Sequence, residues 1–134
     1  MIWPTFIEES KEESVELLNK FLKDSDSPID KEKYLEVQRQ LGKEPDPDKI
    51  PLGFDDLTPD CQIAINIYNR LGNRVYGEVG FTGKDFTNLP ILIEAHNIVN
   101  KLYLLDLLNC LDNFYLKKNA KQIKKMIDDM KKKK

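Results

Sequence analysis

The sequence predicts an all-α fold: a compact bundle of four to five helices, with a glycine-rich loop between two core helices and a long C-terminal helix. Apolar residues recur at the three- and four-residue spacing of a helix face in several segments. Residues that cap helices precede these segments, most clearly Thr58 followed by Pro59. A chain of 134 residues is long enough for one hydrophobic core.

Charge is distributed unevenly along the chain, although the net charge is only -2. Residues 1–116 hold 21 of the 23 acidic and 12 of the 21 basic residues, a charge of -9. Residues 117–134 hold nine lysines against Asp128 and Asp129, a charge of +7. We therefore predict a helical domain over residues 1–116 and a basic amphipathic helical extension over residues 117–134. The extension has the charge to contact nucleic acid, an anionic membrane or an acidic partner.

The cysteines and the most apolar run indicate whether to expect disulfide bonds or a membrane span. Cys61 and Cys110 are the two cysteines and both lie in apolar helical patterns, so we interpret them as small buried hydrophobes rather than a disulfide framework. The most apolar run, residues 102–111, is interrupted by Asp106 and Asn109, so we predict no membrane span.

The first predicted helix begins at one of two capping boxes. Thr5 and Glu8 form one box, and Ser10 and Glu13 form the other. The sequence does not decide between these two starts. Trp3 precedes both and is expected either to close one end of the core or to anchor a partner.

The second predicted helix takes Ser27 as its N-cap and Pro28 as its first residue, and it ends at Gly42. Its apolar stripe is narrow, so we expect it to lie at the surface. An extended linker follows over residues 43–56, because three prolines within seven residues exclude a helix. The aspartates of this linker suggest a calcium loop. However, Pro51 occupies the position where an EF-hand needs glycine, so we interpret the segment as a charged linker.

Thr58 and Pro59 start the third predicted helix, which is apolar on more than one face and is therefore expected to be central. The loop after it has glycine at every third position, 77, 80 and 83, which matches neither the dinucleotide nor the P-loop fingerprint. We expect these glycines to permit tight turns or positive φ, with short extended pieces around Val75, Val79 and Phe81. An anion site formed by backbone amides, Arg74 and Lys84 is the alternative.

The fourth predicted helix opens at Thr87 and runs to about Asn97, and Asn100 caps the fifth and longest. His96 is the single histidine and has no cysteine, histidine or carboxylate at ligand spacing, so it predicts neither a metal site nor a catalytic dyad. The last helix runs from Lys101 to about Leu116. A further apolar stripe, formed by Ile123, Met126, Ile127 and Met130, would extend it through the lysine-rich segment to Met130. This stripe is expected either to pack on its own domain or to bind a membrane, an acidic groove or a partner helix.

The central stretch resembles small proteins of tailed bacteriophages, in particular the tail assembly chaperone type. In those proteins an apolar helix leads to an aromatic or arginine-containing turn, a glycine-rich loop and an acidic-aromatic-x-x-Leu-Pro helix start. The corresponding residues here are Tyr68, Arg74, Gly77, Gly80, Gly83, Asp85, Phe86, Leu89 and Pro90. The resemblance implies a non-enzymatic protein that holds aggregation-prone segments of a tail protein or forms part of the virion. It carries over no catalytic residue.

The functional expectation is a protein–protein interaction protein in phage assembly or virion structure, located in the host cytoplasm or the virion. Its partners would be other phage structural or assembly proteins, or further copies of itself. No catalytic, cofactor-binding or metal-binding residue is predicted. The expected partner-binding residues are Trp3, Arg74, Tyr76, Phe81, Lys84, Ile123, Met126 and Met130.

Two alternatives remain open at this point. The lysine-rich C-terminal helix would suit a nucleic-acid-binding adaptor in DNA packaging. The acidic body would suit a phage-encoded inhibitor of a host protein, acting as a decoy for a polyanion site.

Overall fold

The structure, a computed structural model, describes residues 5–132. Within them lie five α-helices and one two-stranded antiparallel sheet. The prediction of an all-α fold is therefore wrong, and the fold is mixed α/β, although 64% of it is helical. The elements in chain order are α1 (Lys11–Ser25), α2 (Lys31–Gln40), α3 (Pro59–Arg70), β1 (Gly72–Tyr76), β2 (Gly80–Asp85), α4 (Leu89–Ala95) and α5 (Lys101–Lys132).

The chain divides into two compact units, Met1–Ile63 and Ala64–Lys134. Trp3 lies outside the described residues. The division falls within α3. The predicted partition at residues 116 and 117 stays a prediction, and α5 is one continuous helix through that position.

In the first unit, a short polar network joins the start of α1 to the start of α3. The Phe6 backbone N–H donates a 2.8 Å hydrogen bond to Asp60, and the Ser10 hydroxyl donates to the other oxygen of that carboxylate at 3.1 Å. A 3-10 turn over Glu8–Ser10 leads into α1, and Ser10 is the N-cap, so the helix begins at the second of the two predicted starts, although without a side-chain cap hydrogen bond. Thr58 caps α3 as predicted, because its hydroxyl accepts a bond from the Cys61 N–H at 3.3 Å.

The second helix starts later than the sequence suggested. Asp30 is its N-cap and accepts a 2.8 Å bond from the Lys33 N–H, whereas the Ser27 hydroxyl accepts from the Ile29 N–H in the preceding turn. The prediction of Ser27 and Pro28 as the helix start is therefore wrong. Gly42 follows the helix with φ +68°, the left-handed conformation typical of a glycine C-terminal stop.

In the second unit, α5 supplies five buried side chains of the core. Tyr103, Leu104, Leu107, Leu108 and Leu111 are buried, and Asn100 caps the helix by accepting from the Tyr103 N–H at 3.1 Å. The predicted helix through the lysine-rich segment is confirmed, since α5 continues to Lys132. No helix in the described part of the chain is long and apolar enough to cross a membrane.

The glycine-rich segment forms a β-hairpin rather than a loop. Val75 pairs with Phe81 and Tyr76 with Gly80, and the turn is closed by a 3.0 Å bond from the Val79 N–H to the Tyr76 carbonyl. Gly80, which follows the turn, has a φ of +77°. This conformation costs little conformational energy for glycine because glycine has no Cβ. The expectation of positive φ in this segment is confirmed at Gly80.

Candidate functional site

The Asp112 carboxylate of α5 fixes strand β2 to the helix. One of its oxygens accepts a 3.0 Å bond from the Lys84 backbone N–H and a second, also 3.0 Å, from the Tyr68 hydroxyl. The other oxygen would lie 3.1 Å from a Cβ placed on Gly83, which is buried and has φ +108°. Glycine at this position therefore permits both the backbone conformation and the close approach of the carboxylate.

Asn119, two helical turns further along α5, makes the second attachment. Its amide nitrogen donates to the carbonyls of Val79 and Phe81, both at 3.0 Å. The side-chain oxygen of Asn119 lies 3.4 Å from the position of a Cβ on Gly80. Two polar side chains on one helix face thus hold the whole length of β2 against α5.

An aromatic and cationic cluster surrounds the Asp112 contact. Tyr115 stacks on Tyr68 with ring centroids 5.8 Å apart, and the Lys84 ammonium lies 4.8 Å from the Tyr68 ring centroid. The same ammonium donates a 3.1 Å bond to the Leu71 carbonyl. Partial burial lowers the pKa of Lys84, and the nearby Asp112 charge opposes that change.

The phenol of Tyr68 is the other titratable group in this cluster. Burial raises its pKa, and the hydrogen bond to Asp112 raises it further because that bond requires the phenol proton. Tyr68 therefore stays neutral and acts as a hydrogen-bond donor in the folded protein. The cluster is an internal support for the hairpin rather than a set of groups free to react.

A groove of about 640 Å³ runs between the hairpin and the C-terminal half of α5. We call it the hairpin–helix groove. It is lined on the hairpin side by Val79, Phe81 and Thr82, and on the helix side by Leu116, Asn119, Ala120, Ile123, Lys124, Ile127, Asp128 and Lys131. Its apolar side chains include Val79 and Ile127, which are 56% and 47% exposed. The groove can therefore accept apolar side chains of a partner, with lysines at its border.

The structure brings some of the predicted partner-binding residues together and leaves others apart. Phe81 and Ile123 line the groove from opposite sides. Met126 and Met130 are exposed on α5 but lie outside the groove lining. The further residues named at the sequence level are Arg74 and Tyr76, both exposed on β1.

The predicted anion site involved Lys84 and Arg74 with backbone amides. Lys84 lines a second, smaller cleft of about 450 Å³ beside Tyr68 and Tyr115. Its ammonium already donates to a backbone carbonyl, and its backbone N–H already donates to Asp112. The structure thus gives Lys84 a role inside the hairpin support.

Asp112 and Asn119 are the residues that sequence reasoning missed. They are spaced seven residues apart on α5, so they share one face of that helix. Polar residues repeated on a face that is otherwise apolar are the signal that could have identified them. Among residues 5–132, no group of three histidine, cysteine, aspartate or glutamate side chains is placed to hold a metal ion.

Comparisons with protein-family models, with curated proteins and with solved structures found no match for this chain. The bacteriophage resemblance therefore stays a prediction.

Proposed function

We propose that the protein is a non-enzymatic interaction protein of bacteriophage assembly or virion structure, of the tail assembly chaperone type. It acts by binding segments of phage structural or assembly proteins in the hairpin–helix groove. The resemblance of the segment from Tyr68 to Pro90 supports the phage setting. The groove is the observation that supports a role in binding other proteins.

Exposed apolar side chains in the groove support a role in binding. Val79 and Ile127 keep about half of their surface in water, although both line a concave site that a partner side chain can enter. Fully burying one large aliphatic side chain contributes roughly 1.5–3 kcal/mol. Apolar side chains that line a concave site together with a few polar ones are typical of binding sites. Because these side chains are already half buried, each contributes about half of that energy on binding, which offsets part of the freedom lost on association.

The border of the groove adds selectivity. Lys124 and Lys131 stand beside the apolar floor, with Asp128 between them in sequence. Opposite charge on a partner would speed its approach and fix its orientation, whereas a basic partner would be repelled. We therefore expect the preferred segments to combine apolar side chains with acidic ones.

Affinity capture from infected cells tests this function. The tagged wild-type chain is compared with Ile127→Asp, which places a charge in the groove, and with Leu102→Asp as the matched control. Leu102 is 71% exposed on α5 and outside the groove lining, so its substitution has the same chemistry at a different place. Mass spectrometry should identify phage structural or assembly proteins with wild type and with the control, and their loss with Ile127→Asp. Capture of no such protein by wild type would refute the proposal.

A nucleic-acid adaptor role is the second candidate, because the lysines of the C-terminal helix face solvent. Six of them are exposed: Lys117, Lys121, Lys124, Lys125, Lys131 and Lys132. Binding through these lysines would fall steeply with salt as counterions are released. This role is tested by measuring equilibrium DNA binding across a series of salt concentrations. The two proteins compared are wild type and a double variant, Lys121→Gln with Lys125→Gln. Equal affinity and equal salt slope for the two proteins would exclude this role.

A further inference from the structure

We propose that the hairpin–helix groove also accepts a second copy of this chain, which inserts Val37 of helix α2 and Leu41, the C-cap of that helix, between the hairpin and α5. The resulting association is head-to-tail. This inference rests on the proposed function, because it uses the same groove, and it specifies the chemistry of one partner.

Helix α2 has the properties that such an occupant needs. None of its residues is buried, and its apolar stripe stays in water, with Val37 46% and Leu41 60% exposed. These two residues are four positions apart and therefore lie on one helix face. The helix has 10 residues, about 15 Å, whereas the groove lining extends from Leu116 to Lys131, roughly 22 Å at 1.5 Å per residue. The helix therefore fits within the groove.

The unit that carries α2 and the unit that carries the groove have opposite net charges, although α2 itself holds three basic residues against two acidic ones. Residues 1–63 contain 16 acidic and 8 basic side chains, a charge of -8, whereas residues 64–134 contain 7 acidic and 13 basic, a charge of +6. The exposed segment after α2 supplies Glu44, Asp46 and Asp48, and the Asp46 N–H donates a 3.3 Å bond to the hydroxyl of Tyr34 on α2. These carboxylates suit the lysines at the groove border.

Charge also selects a head-to-tail arrangement over a symmetric one. Pairing two α5 helices would bring two segments of charge +7 together, and like charges at close range oppose association. Joining α2 of one copy to the groove of another avoids this repulsion. Such a heterologous contact leaves one α2 and one groove of the pair unoccupied, so further copies can add to it.

Analytical ultracentrifugation of the purified full chain tests the proposal. The wild-type mass should rise with concentration above the 15.6 kDa monomer, and high salt should reduce this rise. Leu41→Asp on α2 and Ile127→Asp in the groove should each be monomeric at the same concentrations. Leu102→Asp, the exposed control on α5, should behave as wild type. Val79→Asp is a second groove variant, on the hairpin side, and circular dichroism verifies the helical content of every variant.

Mixing the two interface variants gives the sharpest result. The Leu41→Asp protein keeps an intact groove and the Ile127→Asp protein keeps an intact α2, so an equimolar mixture should form a dimer of twice 15.6 kDa and nothing larger. A mixture that stays monomeric, a monomeric wild type at high concentration, or loss of association in Leu102→Asp would each overturn the proposal.

The outcomes separate this inference from the proposed function. If wild type is monomeric while capture of phage proteins still depends on Ile127, self-association is refuted and the proposed function stands. If wild type associates as described but captures no other phage protein, the interface is real and the proposed function falls.

Discussion

Replacing Asp112 by alanine removes the acceptor that holds the hairpin to α5. Two donors, the Lys84 backbone N–H and the Tyr68 hydroxyl, lose their partner, each from a 3.0 Å bond to the same oxygen. A hydrogen bond to a charged group contributes roughly 1.5–3 kcal/mol, and both bonds are only partly buried, so the lower end applies and the total is about 3 kcal/mol. With an unfolding entropy of about 2.1 cal/mol/K per residue, this lowers the midpoint of thermal unfolding by about 10 °C for 134 residues.

Differential scanning calorimetry measures this change, and urea unfolding gives an independent free energy. Asp112→Asn is the matched control, because its amide oxygen can still accept from both donors while the charge is lost. We expect it to lose about half as much stability as the alanine variant. A melting temperature for Asp112→Ala close to that of wild type, as for an ordinary surface substitution of about 0.5 kcal/mol, would refute the role assigned to this carboxylate.

Three further predictions follow from single residues. Gly80→Ala should destabilise by about 1–2 kcal/mol in urea unfolding, because alanine is strained at φ +77°; an unchanged midpoint would contradict this. Asp30→Ala should lower the free energy of unfolding by about 1 kcal/mol in the same assay, because α2 loses its N-cap. It should also lower the helical circular dichroism signal near the midpoint of the urea transition, whereas Asp30→Asn should retain most of the stability. The folded pKa of Tyr68 is raised above the ordinary value of 10.0, so the folded state holds that proton more tightly and stability falls as pH rises above 10.0. Tyr68→Phe should show a shallower alkaline loss in urea titrations, and parallel pH curves for the two proteins would contradict this assignment.

The helix starts that the sequence identified correctly depend on local chemistry. Thr58 before Pro59, and Asn100 before the last helix, each bond a backbone N–H three residues further along. Such contacts need no information from the rest of the chain. The start of α2 was misplaced because Ser27 and Asp30 are both good caps and stand three residues apart. Asp30 is the residue that bonds the first turn of the helix.

The hairpin was missed for a different reason. Every residue of β1 is exposed, so the alternation of buried and exposed side chains that marks a half-buried strand is absent. Its partner strand is held by Asp112 and Asn119, which lie 28 or more residues further along the chain. The short extended pieces could be read from the sequence, but their docking on α5 is a tertiary effect. For the same reason the groove, which needs both elements, could not be predicted.

The two ends of α5 differ in how much of their side-chain surface is buried. Five side chains are buried between Tyr103 and Leu111, whereas every described residue after Ile123 is exposed. Lysines crowd this last part of the helix and repel one another. The backbone amides of these final turns should therefore open at low free-energy cost and exchange their hydrogens with solvent far faster than those near Leu107. Ile127 and Lys131 belong to the lining of the groove, so this end of the groove lies on the part of α5 that opens most readily. A bound segment would therefore complete the folding of the helix that holds it, and slower hydrogen exchange there would report its arrival.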